Sequence, residues 1–200
     1  MGVVVMSNDT KSILLETGLN TFVERGYTNS GLGDILHAAG VPKGSFYHYF
    51  QSKEDFGLQV INRFAESYSK KLEESLSAES LSPLERLHAH YVGAIARIEN
   101  DGCRKGCLIG TLSQEMSAQS EVLRTRLEEI FTAWADRLGT CLAEAQIAGE
   151  IPEHIDVREL AEFFLISWQG AILRAKTMRS THPLRVFLNS MFSYVLHVRA

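Results

Sequence analysis

Apolar residues recur every three to four positions along most of the chain, which is the spacing of amphipathic helices. The most regular stripe lies in the second half of the chain. It consists of Leu123, Leu127, Ile130, Phe131, Trp134, Leu138, Cys141 and Leu142. No segment shows the alternation of apolar and polar residues that is typical of a half-buried strand. The pattern therefore predicts an all-α protein of about nine helices.

Residues 29–53 predict two short helices on either side of a tight turn. The apolar face of the first helix is formed by Leu32, Ile35, Leu36 and Ala39. Gly40 stands where a C-terminal cap belongs, and Pro42 suits the first position of the next helix because that position needs no N–H. This arrangement is typical of a helix-turn-helix, whose second helix enters the DNA major groove.

The second of these helices separates an apolar face from a polar face. Phe46 and Phe50 are four residues apart, so we expect both rings to point inward. The opposite side carries Lys43, Ser45, Tyr47 and His48. Before the first helix, Thr28, Asn29 and Ser30 are expected to act as N-terminal caps. Gly31 and Gly33, near its start, fit either fraying or a close approach of the backbone to DNA.

The remaining helices follow from the same periodicity and from turn residues. A helix over about 10–25 is expected to end at Gly26. Ser52 and Asp55 resemble a capping box that opens a long helix to about residue 76. Further helices are expected over about 83–99, from 108, from 123 to the break at 149–152, over 157–179 and over 183–198.

Composition limits the class of protein. The 200 residues are 45% hydrophobic, which suffices for one compact domain or two small ones with a buried core. No stretch of about 18 apolar residues is present, so we expect no membrane span. Residues 1–9 lack the basic flank of a signal peptide and are expected to be a disordered leader. Three cysteines without a secretory signal favour a reducing, cytoplasmic setting.

The charge of the chain argues against a nucleic-acid partner. The formal net charge is −4 at pH 7. The cations among the first 55 residues, set against six acids, are Lys11, Arg25, Lys43 and Lys53. These residues do not form the cluster of lysine and arginine that DNA-binding domains usually carry. DNA binding would therefore depend on a few well-placed cations, on helix N-termini and on duplication of the site in a dimer.

Three motifs carry a resemblance that outweighs the charge. They are Phe22-Val-Glu-Arg-Gly-Tyr27, Ala39-Gly-Val-Pro-Lys-Gly-Ser-Phe-Tyr-His-Tyr-Phe50 and Ser52-Lys53-Glu54. In order and without gaps, they resemble the DNA-binding domain of the TetR family of bacterial transcriptional repressors. The resemblance implies a three-helix DNA-binding domain at 10–55 and an effector-binding and dimerisation domain at 56–200. It also implies a homodimer that binds a palindromic operator and is released by a small-molecule effector.

Eight residues are candidates for DNA contacts within this resemblance. They are Thr28, Ser30, Lys43, Gly44, Ser45, Tyr47, His48 and Lys53. Lys43 is the first choice for base readout, since lysine reaches guanine O6 and N7 in the major groove. Ser45 can reach a base edge or a phosphate. Tyr47, His48 and Lys53 are better placed for phosphate oxygens, which position a protein without specifying sequence.

A second candidate site lies in residues 102–110, Gly-Cys-Arg-Lys-Gly-Cys-Leu-Ile-Gly. Cys103 and Cys107 are four residues apart, flank two cations and precede a predicted helix. Adjacent cations and a helix N-terminus both lower the pKa of a thiol and favour the reactive thiolate. The segment therefore predicts a thiol-based sensor.

Residues 168–176 add to this prediction. Together with the glycine, cysteine and leucine around Cys107, they resemble the family branch that contains N-ethylmaleimide- and electrophile-responsive repressors. In that branch Cys107 matches the cysteine implicated in sensing. Lys176 shares a helical face with Trp168, so we expect its amine in an apolar pocket together with Cys107. Its partner there is expected to be an anionic ligand, a thiolate or a carboxylate such as Glu115.

Other interpretations stay open at this stage. Free cysteines are often buried as small hydrophobes, so Cys107 could serve packing alone, and Tyr47 and Tyr49 could simply pack the small domain. A helical small-molecule carrier or degenerate enzyme without specific DNA binding would suit the acidic N-terminal domain, and an activator would share the fold. No metal-ligand spacing, phosphate loop or oriented nucleophile is visible, so we expect no metal, no cofactor and no enzyme activity.

Overall fold

The computed structural model describes residues 7–196, which form helices joined by turns. The helices are α1 (Ser7–Arg25), α2 (Leu32–Ala39), α3 (Lys43–Phe46), α4 (Lys53–Leu76), α5 (Pro83–Asn100), α6 (Leu108–Met116), α7 (Glu121–Ile147), α8 (Val157–Met178) and α9 (His182–Ser190). Over this range the chain has nine α-helices and no strand, which confirms the predicted all-α fold.

Both chain ends depart from the predicted boundaries. Residues 7–9 are helical, so the disordered leader predicted at 1–9 is wrong for these three positions; residues 1–6 lie outside the described part. At the other end, the last α-helix stops at Ser190 and a π-helical turn, Met191–Val195, follows. The Leu196 N–H donates to the Met191 carbonyl at 2.9 Å, and both side chains are buried. A π-helical turn is wider than an α-helical turn and therefore places residues five positions apart on the same face. The 3.6-residue period of an α-helix does not.

Residues 7–67 form one compact unit together with residues 108–127. Its centre is a group of aromatic rings with at most 1% of their surface exposed. The Phe56 ring stands edge-on to Phe46 at 5.5 Å and to Phe50 at 4.9 Å between centroids. On α1, Gly18 lies directly against the Phe56 ring, and a Cβ there would overlap it. Aromatic packing of this kind fixes α3 against α1 and α4.

The turn between α2 and α3 forms as the sequence predicts. Gly40 adopts φ +66°, in the left-handed region that favours glycine. Its N–H donates to the His37 carbonyl at 3.2 Å, and the Val41 N–H donates to Leu36 at 3.0 Å. The sequence predicted Pro42 at the first helical position of α3, but Pro42 is the N-cap residue. The helix therefore begins one residue later than predicted, at Lys43. The helix itself has only four residues, because turns follow directly at 47–49.

The N-terminal capping predicted for α2 is wrong. The N-cap residue is Gly31, and no side chain accepts a hydrogen bond from the first turn. Ser30 donates its hydroxyl to the Gly26 carbonyl at 2.5 Å, and the Asn29 side-chain amide donates to the Arg25 carbonyl at 3.4 Å. These side chains therefore satisfy carbonyl groups at the end of α1 and leave the start of α2 without a side-chain cap.

Residues 68–107 and 128–196 form a second compact unit. Helix α5 begins with a complete capping box between Ser82 and Glu85. The aromatic core of this unit is built around Tyr91, which is 2% exposed. Its ring contacts Trp168 and Phe187, each at 4.9 Å between centroids. Helices α5, α8 and α9 are held together by this core.

Candidate DNA interface and sensor site

Helix α3 presents a polar surface above a buried aromatic base. Lys43, Gly44, Tyr47 and His48 are exposed, and Ser45 is half-buried. Phe46 is fully buried beneath them, and the Tyr47 ring stands edge-on to it at 5.4 Å while remaining 56% exposed. The predicted separation of an inward aromatic face from an outward polar face is confirmed.

Gly44 leaves the surface of α3 flat. Apart from its chain neighbours and the backbone of α3 itself, no protein atom lies within 4 Å of where a Cβ would stand at this position. The protein itself therefore does not require glycine here. A backbone that must come close to another molecule gives one physical reason for a glycine at such a position.

The segment that joins α1 to α2 holds two further candidates in different environments. Thr28 is exposed, whereas Ser30 has 1% of its surface exposed and uses its hydroxyl inside the domain. A DNA contact by the Ser30 side chain would require this hydrogen bond to break. The DNA contacts of Thr28 and Ser30 stay predictions. The burial of Ser30 does not support a contact by its side chain.

Lys53, at the start of α4, is held by the same segment. Its amine donates to the Tyr27 carbonyl at 2.8 Å and lies 4.3 Å from the centroid of the Tyr27 ring. Burial lowers the pKa of this amine, and the nearby Glu115 carboxylate opposes the shift. An ammonium group has three donors, so a phosphate contact by Lys53 remains compatible with this geometry.

The carboxylate of Glu115, on α6, fastens the α1–α2 segment. It accepts a hydrogen bond from the Thr28 N–H at 2.9 Å and lies directly against Gly26, whose φ is +78°. We call this group of Glu115, Gly26, Thr28 and Lys53 the Glu115 clamp. The pairing of Glu115 with Lys176 stays a prediction.

A second contact joins the same part of the chain to α4. The Ser120 hydroxyl, between α6 and α7, donates to the Glu54 carboxylate at 2.6 Å. Ser120 also accepts from the Leu123 N–H at 3.2 Å and so caps α7. Helix α6 is thus anchored next to the helix-turn-helix by polar contacts at Glu115 and just beyond its C-terminal end.

The two cysteines of the predicted sensor segment differ in environment. Cys103 is 3% exposed and adopts φ +52°, and its carbonyl accepts from the Arg179 guanidinium at 3.3 Å. Cys107 is half-buried and directly precedes Leu108, the first residue of α6. Of the two, Cys107 therefore has the more accessible thiol. Its reactivity stays a prediction.

Trp168 and Lys176 lie on α8 as the sequence predicts, with unequal burial. Trp168 is 4% exposed and packs against the Tyr91 and Phe187 rings at 4.9 and 5.1 Å. Lys176 is half-buried. A pocket shared by Lys176 and Cys107 stays a prediction.

Sequence reasoning missed His90, which is 4% exposed on α5. Its ring lies 6.2 Å from Tyr68 and 5.4 Å from Tyr91 between centroids, and its Nδ1 atom has no hydrogen-bond partner. Burial, with help from the Arg97 charge, lowers the pKa of His90 to about 4. The signal was present in the sequence, because position 90 continues the helical spacing of Leu87 and the buried Ala94.

Tyr68 contacts the His90 ring and lies close enough to Cys107 for the charge of its thiolate to act on the phenol. Burial raises the pKa of the Tyr68 phenol, and the charge of a Cys107 thiolate raises it further. The phenol therefore stays protonated at neutral pH. The Tyr68 ring also packs on Trp134 at 4.3 Å between centroids.

Two features of residues 7–196 bear on other functions. No group of three or more histidine, cysteine or acidic side chains in this range is arranged to hold a metal ion. In the same range, none of the helices combines the length and the apolar character needed to cross a membrane.

Two family descriptions match the chain. "Bacterial regulatory proteins, tetR family" matches residues 14–60, which contain α2 and α3. "Tetracyclin repressor-like, C-terminal domain" matches residues 83–191. The two matches fall on either side of residue 68, where the second compact unit begins.

Individual proteins are similar over almost the whole chain. The HTH-type transcriptional repressor DhaR of Mycobacterium sp. (strain GP1) is 41% identical over 183 residues, which are 92% of this chain and 90% of DhaR. The transcriptional regulator AcuR of Cereibacter sphaeroides is 41% identical over 87% of this chain and 80% of its own. The repressor NemR of Escherichia coli K12 is 33% identical over 88% of this chain and 89% of its own.

Solved structures agree with the sequence matches. A regulatory protein TetR from Rhodobacter sphaeroides superposes with a TM-score of 0.89 and 39% identity, over 92% of this chain and 98% of that one. The reduced form of E. coli NemR superposes with a TM-score of 0.84 and 32% identity, over 92% and 96%. With a C-terminal match over 83–191 and relatives above 40% identity, this chain belongs to the tetR family of bacterial regulatory proteins.

Proposed function

We propose that this regulator is a transcriptional repressor that binds a palindromic operator as a homodimer and is released by a small electrophilic effector. The observation that carries the proposal is the polar surface of α3, with Lys43 and His48 exposed above the buried Phe46. A surface of this kind on the second helix of a helix-turn-helix suits major-groove binding. DhaR and NemR are both named as repressors, which supports repression of transcription rather than activation.

DNA recognition is assigned by reach and charge. Lys43 contacts bases because it stands at the first position of α3, and Ser45 adds a base-edge or phosphate contact. Tyr47 and His48 hold phosphate oxygens and set the register of the helix on the duplex. Gly44 lets the backbone approach the base edges. The net charge of −4 makes this small set of contacts responsible for most of the affinity.

The contact with a second copy of the chain is assigned to an apolar face of α8. Phe163, Ile166 and Leu173 recur at helical spacing and are 49%, 65% and 50% exposed. Large side chains exposed together on one face mark an interaction surface. A symmetric dimer through this face presents two α3 helices, which must stand about 34–36 Å apart to read successive half-sites.

Cys107 is assigned as the target of the effector. Its thiolate adds to the carbon–carbon double bond of a compound such as N-ethylmaleimide. The sulfur–carbon bond forms, the π bond opens toward the carbonyl, and the resulting enolate takes a proton from water. The next residue begins α6, which ends in the Glu115 clamp. A shift of α6 therefore loosens the segment that supports the helix-turn-helix.

The size of the required effect is modest. Release follows whenever the effector favours the DNA-incompetent state over the competent one. A preference of 100-fold corresponds to about 2.7 kcal/mol, which lies within the usual range of coupling between two sites.

A gel-shift titration tests the proposal. The DNA is the region directly upstream of this protein's own gene, and wild type and Cys107→Ala are compared with and without N-ethylmaleimide. We expect specific retention that alkylation abolishes in wild type only. Retention that alkylation leaves unchanged would remove the role of Cys107 and keep the repressor. If neither this DNA nor any site selected from random sequence is retained, the protein is not a DNA-binding regulator.

A further inference from the structure

Lys11, near the start of α1, lies beside the helix-turn-helix. Its Nζ atom stands over the Phe50 ring, 5.7 Å from the ring centroid. Phe50 is 1% exposed, and it directly follows the turn that carries the exposed side chains of Tyr47 and His48. The fold therefore places a cation from α1 next to the end of the segment that presents the polar surface of α3.

The amine of Lys11 is not used inside the described part of the chain. Over residues 7–196, no oxygen atom accepts a hydrogen bond from it and no carboxylate pairs with it; its recorded contact is the Phe50 ring. Lys53 also lies over an aromatic ring, but its amine donates to the Tyr27 carbonyl at 2.8 Å. An ammonium has three donors. Lys11 therefore keeps its donors for an anion outside the chain.

The Phe50 ring holds the Lys11 ammonium in place. A cation over the face of an aromatic ring is attracted by the negative charge of that face. The ring itself is fixed, since it packs on Phe46 at 5.0 Å and on Phe56 at 4.9 Å between centroids. Lys11 is half-buried. A long side chain that is already ordered loses less conformational freedom on binding than a freely moving one.

The position of Lys11 relative to α3 identifies the anion. Lys43 is the first residue of α3, and Phe50 follows the turn at its other end. The amines of Lys43 and Lys11 therefore belong to opposite ends of one exposed segment. A helix that lies in the major groove has a sugar-phosphate backbone on either side, with a phosphate about every 3.4 Å along each strand. Lys11 is suited to a phosphate near the C-terminal end of α3.

We propose that Lys11 is a phosphate-contacting residue of the DNA interface, held over the Phe50 ring so that each subunit neutralises one further backbone phosphate. This inference rests on the proposed DNA-binding function and adds to it a residue from outside the helix-turn-helix. Phosphates are the same at every base pair, so the contact positions the protein and strengthens binding to any sequence. In a chain with a net charge of −4, one such cation contributes a large share of the attraction to DNA.

The test measures how DNA affinity depends on salt. Full-length wild type, Lys11→Gln and Lys11→Met are titrated by fluorescence anisotropy between about 50 and 200 mM KCl. One labelled duplex carries the site selected from random sequence, and a second duplex has the same length and composition in scrambled order. Each phosphate contact adds about 0.9 to the slope of log affinity against log salt. We expect both variants to reduce the slope by about 1.8 for a dimer, on both duplexes.

Three further variants separate charge from packing and from base readout. Lys11→Arg keeps the cation over the Phe50 ring and is expected to keep the wild-type slope. Lys71→Gln, at an exposed position of α4, changes the net charge equally and leaves the slope unchanged. Lys43→Gln is expected to reduce the discrimination between the two duplexes, which the Lys11 variants leave intact. Lys11→Met keeps an apolar side chain on the ring, so it removes the charge with little loss of packing.

Three results would overturn the inference. A wild-type slope in both Lys11→Gln and Lys11→Met would leave packing on Phe50 as the role of this residue. A slope reduced equally in Lys71→Gln would assign the effect to net charge. A loss confined to the selected duplex would make Lys11 a base-reading residue. If wild type binds the selected duplex and the Lys11 variants keep its slope, this inference fails alone. If wild type binds neither duplex, the proposed function fails and this inference fails with it.

Discussion

At Gly26, both the backbone conformation and the packing favour glycine. Its φ of +78° lies in the left-handed region, and the Glu115 carboxylate occupies the space that a side chain would need. Gly40 shares the positive φ, at +66°, but has open space around it. The pair therefore separates the cost of conformation from the cost of displacing the clamp.

Gly26→Ala is expected to lower the free energy of unfolding by about 2–3 kcal/mol. About 1 kcal/mol comes from the left-handed conformation and the rest from the displaced Glu115 carboxylate. Gly40→Ala is the matched control, with only the conformational loss. Urea unfolding followed by circular dichroism measures both. Equal losses at the two positions would show that Glu115 does not hold the segment.

His90 makes stability depend on pH. Its pKa is about 4 in the folded protein, against about 6.5 in an unfolded chain. Between these values the unfolded state binds more protons, so stability falls as pH falls. We expect a loss of about 3 kcal/mol between pH 7 and pH 4 from this residue. Unfolding of wild type and His90→Phe across this range measures it, and parallel pH profiles would contradict it.

The three cysteines are expected to react in a fixed order. Burial raises the pKa of Cys141 to about 11, so its thiolate is about 100-fold scarcer than in an exposed thiol. Cys103 is 3% exposed, and only Cys107 is half-buried. Brief treatment with N-ethylmaleimide at pH 7, followed by peptide mapping, should find the first adduct on Cys107. A first adduct on Cys103 or Cys141 would contradict this order.

At the scale of elements, α6 is the helix whose position is least evident from its own composition. Its nine residues pack against α1, and Glu115 reaches a segment 87 residues earlier in the chain. A hydrogen bond from a backbone N–H to a carboxylate is stronger than one to a neutral oxygen. The negative charge of Glu115, and not only the shape of its side chain, is therefore expected to hold the α1–α2 segment in place.

Glu115→Gln tests this expectation with almost no change in shape. The neutral amide still accepts from the Thr28 N–H but loses its attraction for the Lys53 amine. We expect operator affinity to fall about 3- to 10-fold, measured by fluorescence anisotropy at fixed salt. Glu121→Gln, on the exposed start of α7, is the control and leaves affinity unchanged. Unchanged affinity in both variants would exclude the clamp from DNA binding.

At the scale of the whole molecule, assembly decides whether the DNA interface is complete. One α3 helix reads one half-site, and a palindromic operator needs two. The exposed apolar face of α8 is the surface that we propose for a second copy. Ile166 is the most exposed of its large side chains, at 65%.

Ile166→Glu is expected to convert the dimer to a monomer and to abolish specific retention of the operator. Burying a carboxylate in an apolar interface without a partner is strongly unfavourable. Ile147→Glu is the control, since Ile147 is 89% exposed at the end of α7 and outside this face. Sedimentation equilibrium measures assembly. A dimer that survives Ile166→Glu would place the interface elsewhere.

Much of the fold could be predicted because its determinants are local. Helical spacing located the helices, and Gly40 with Pro42 located the turn before α3. Phe46 and Phe50 were correctly placed inward, since two aromatic residues four apart share a face. The predicted caps of α2 failed for an equally physical reason. Ser30 can hydrogen-bond backward as well as forward, and a propensity does not decide between the two.

The sequence alone therefore determined the helical architecture, the family and the polar face of α3, because each depends on residues within a few positions of one another. Tertiary structure decided the partner of Glu115, the burial of His90 and the unequal exposure of the cysteines. These depend on residues that come together only on folding, such as Thr28 with Glu115 and Tyr68 with His90. A helical period shows that a side chain turns toward the core, but only the packed fold supplies its neighbours.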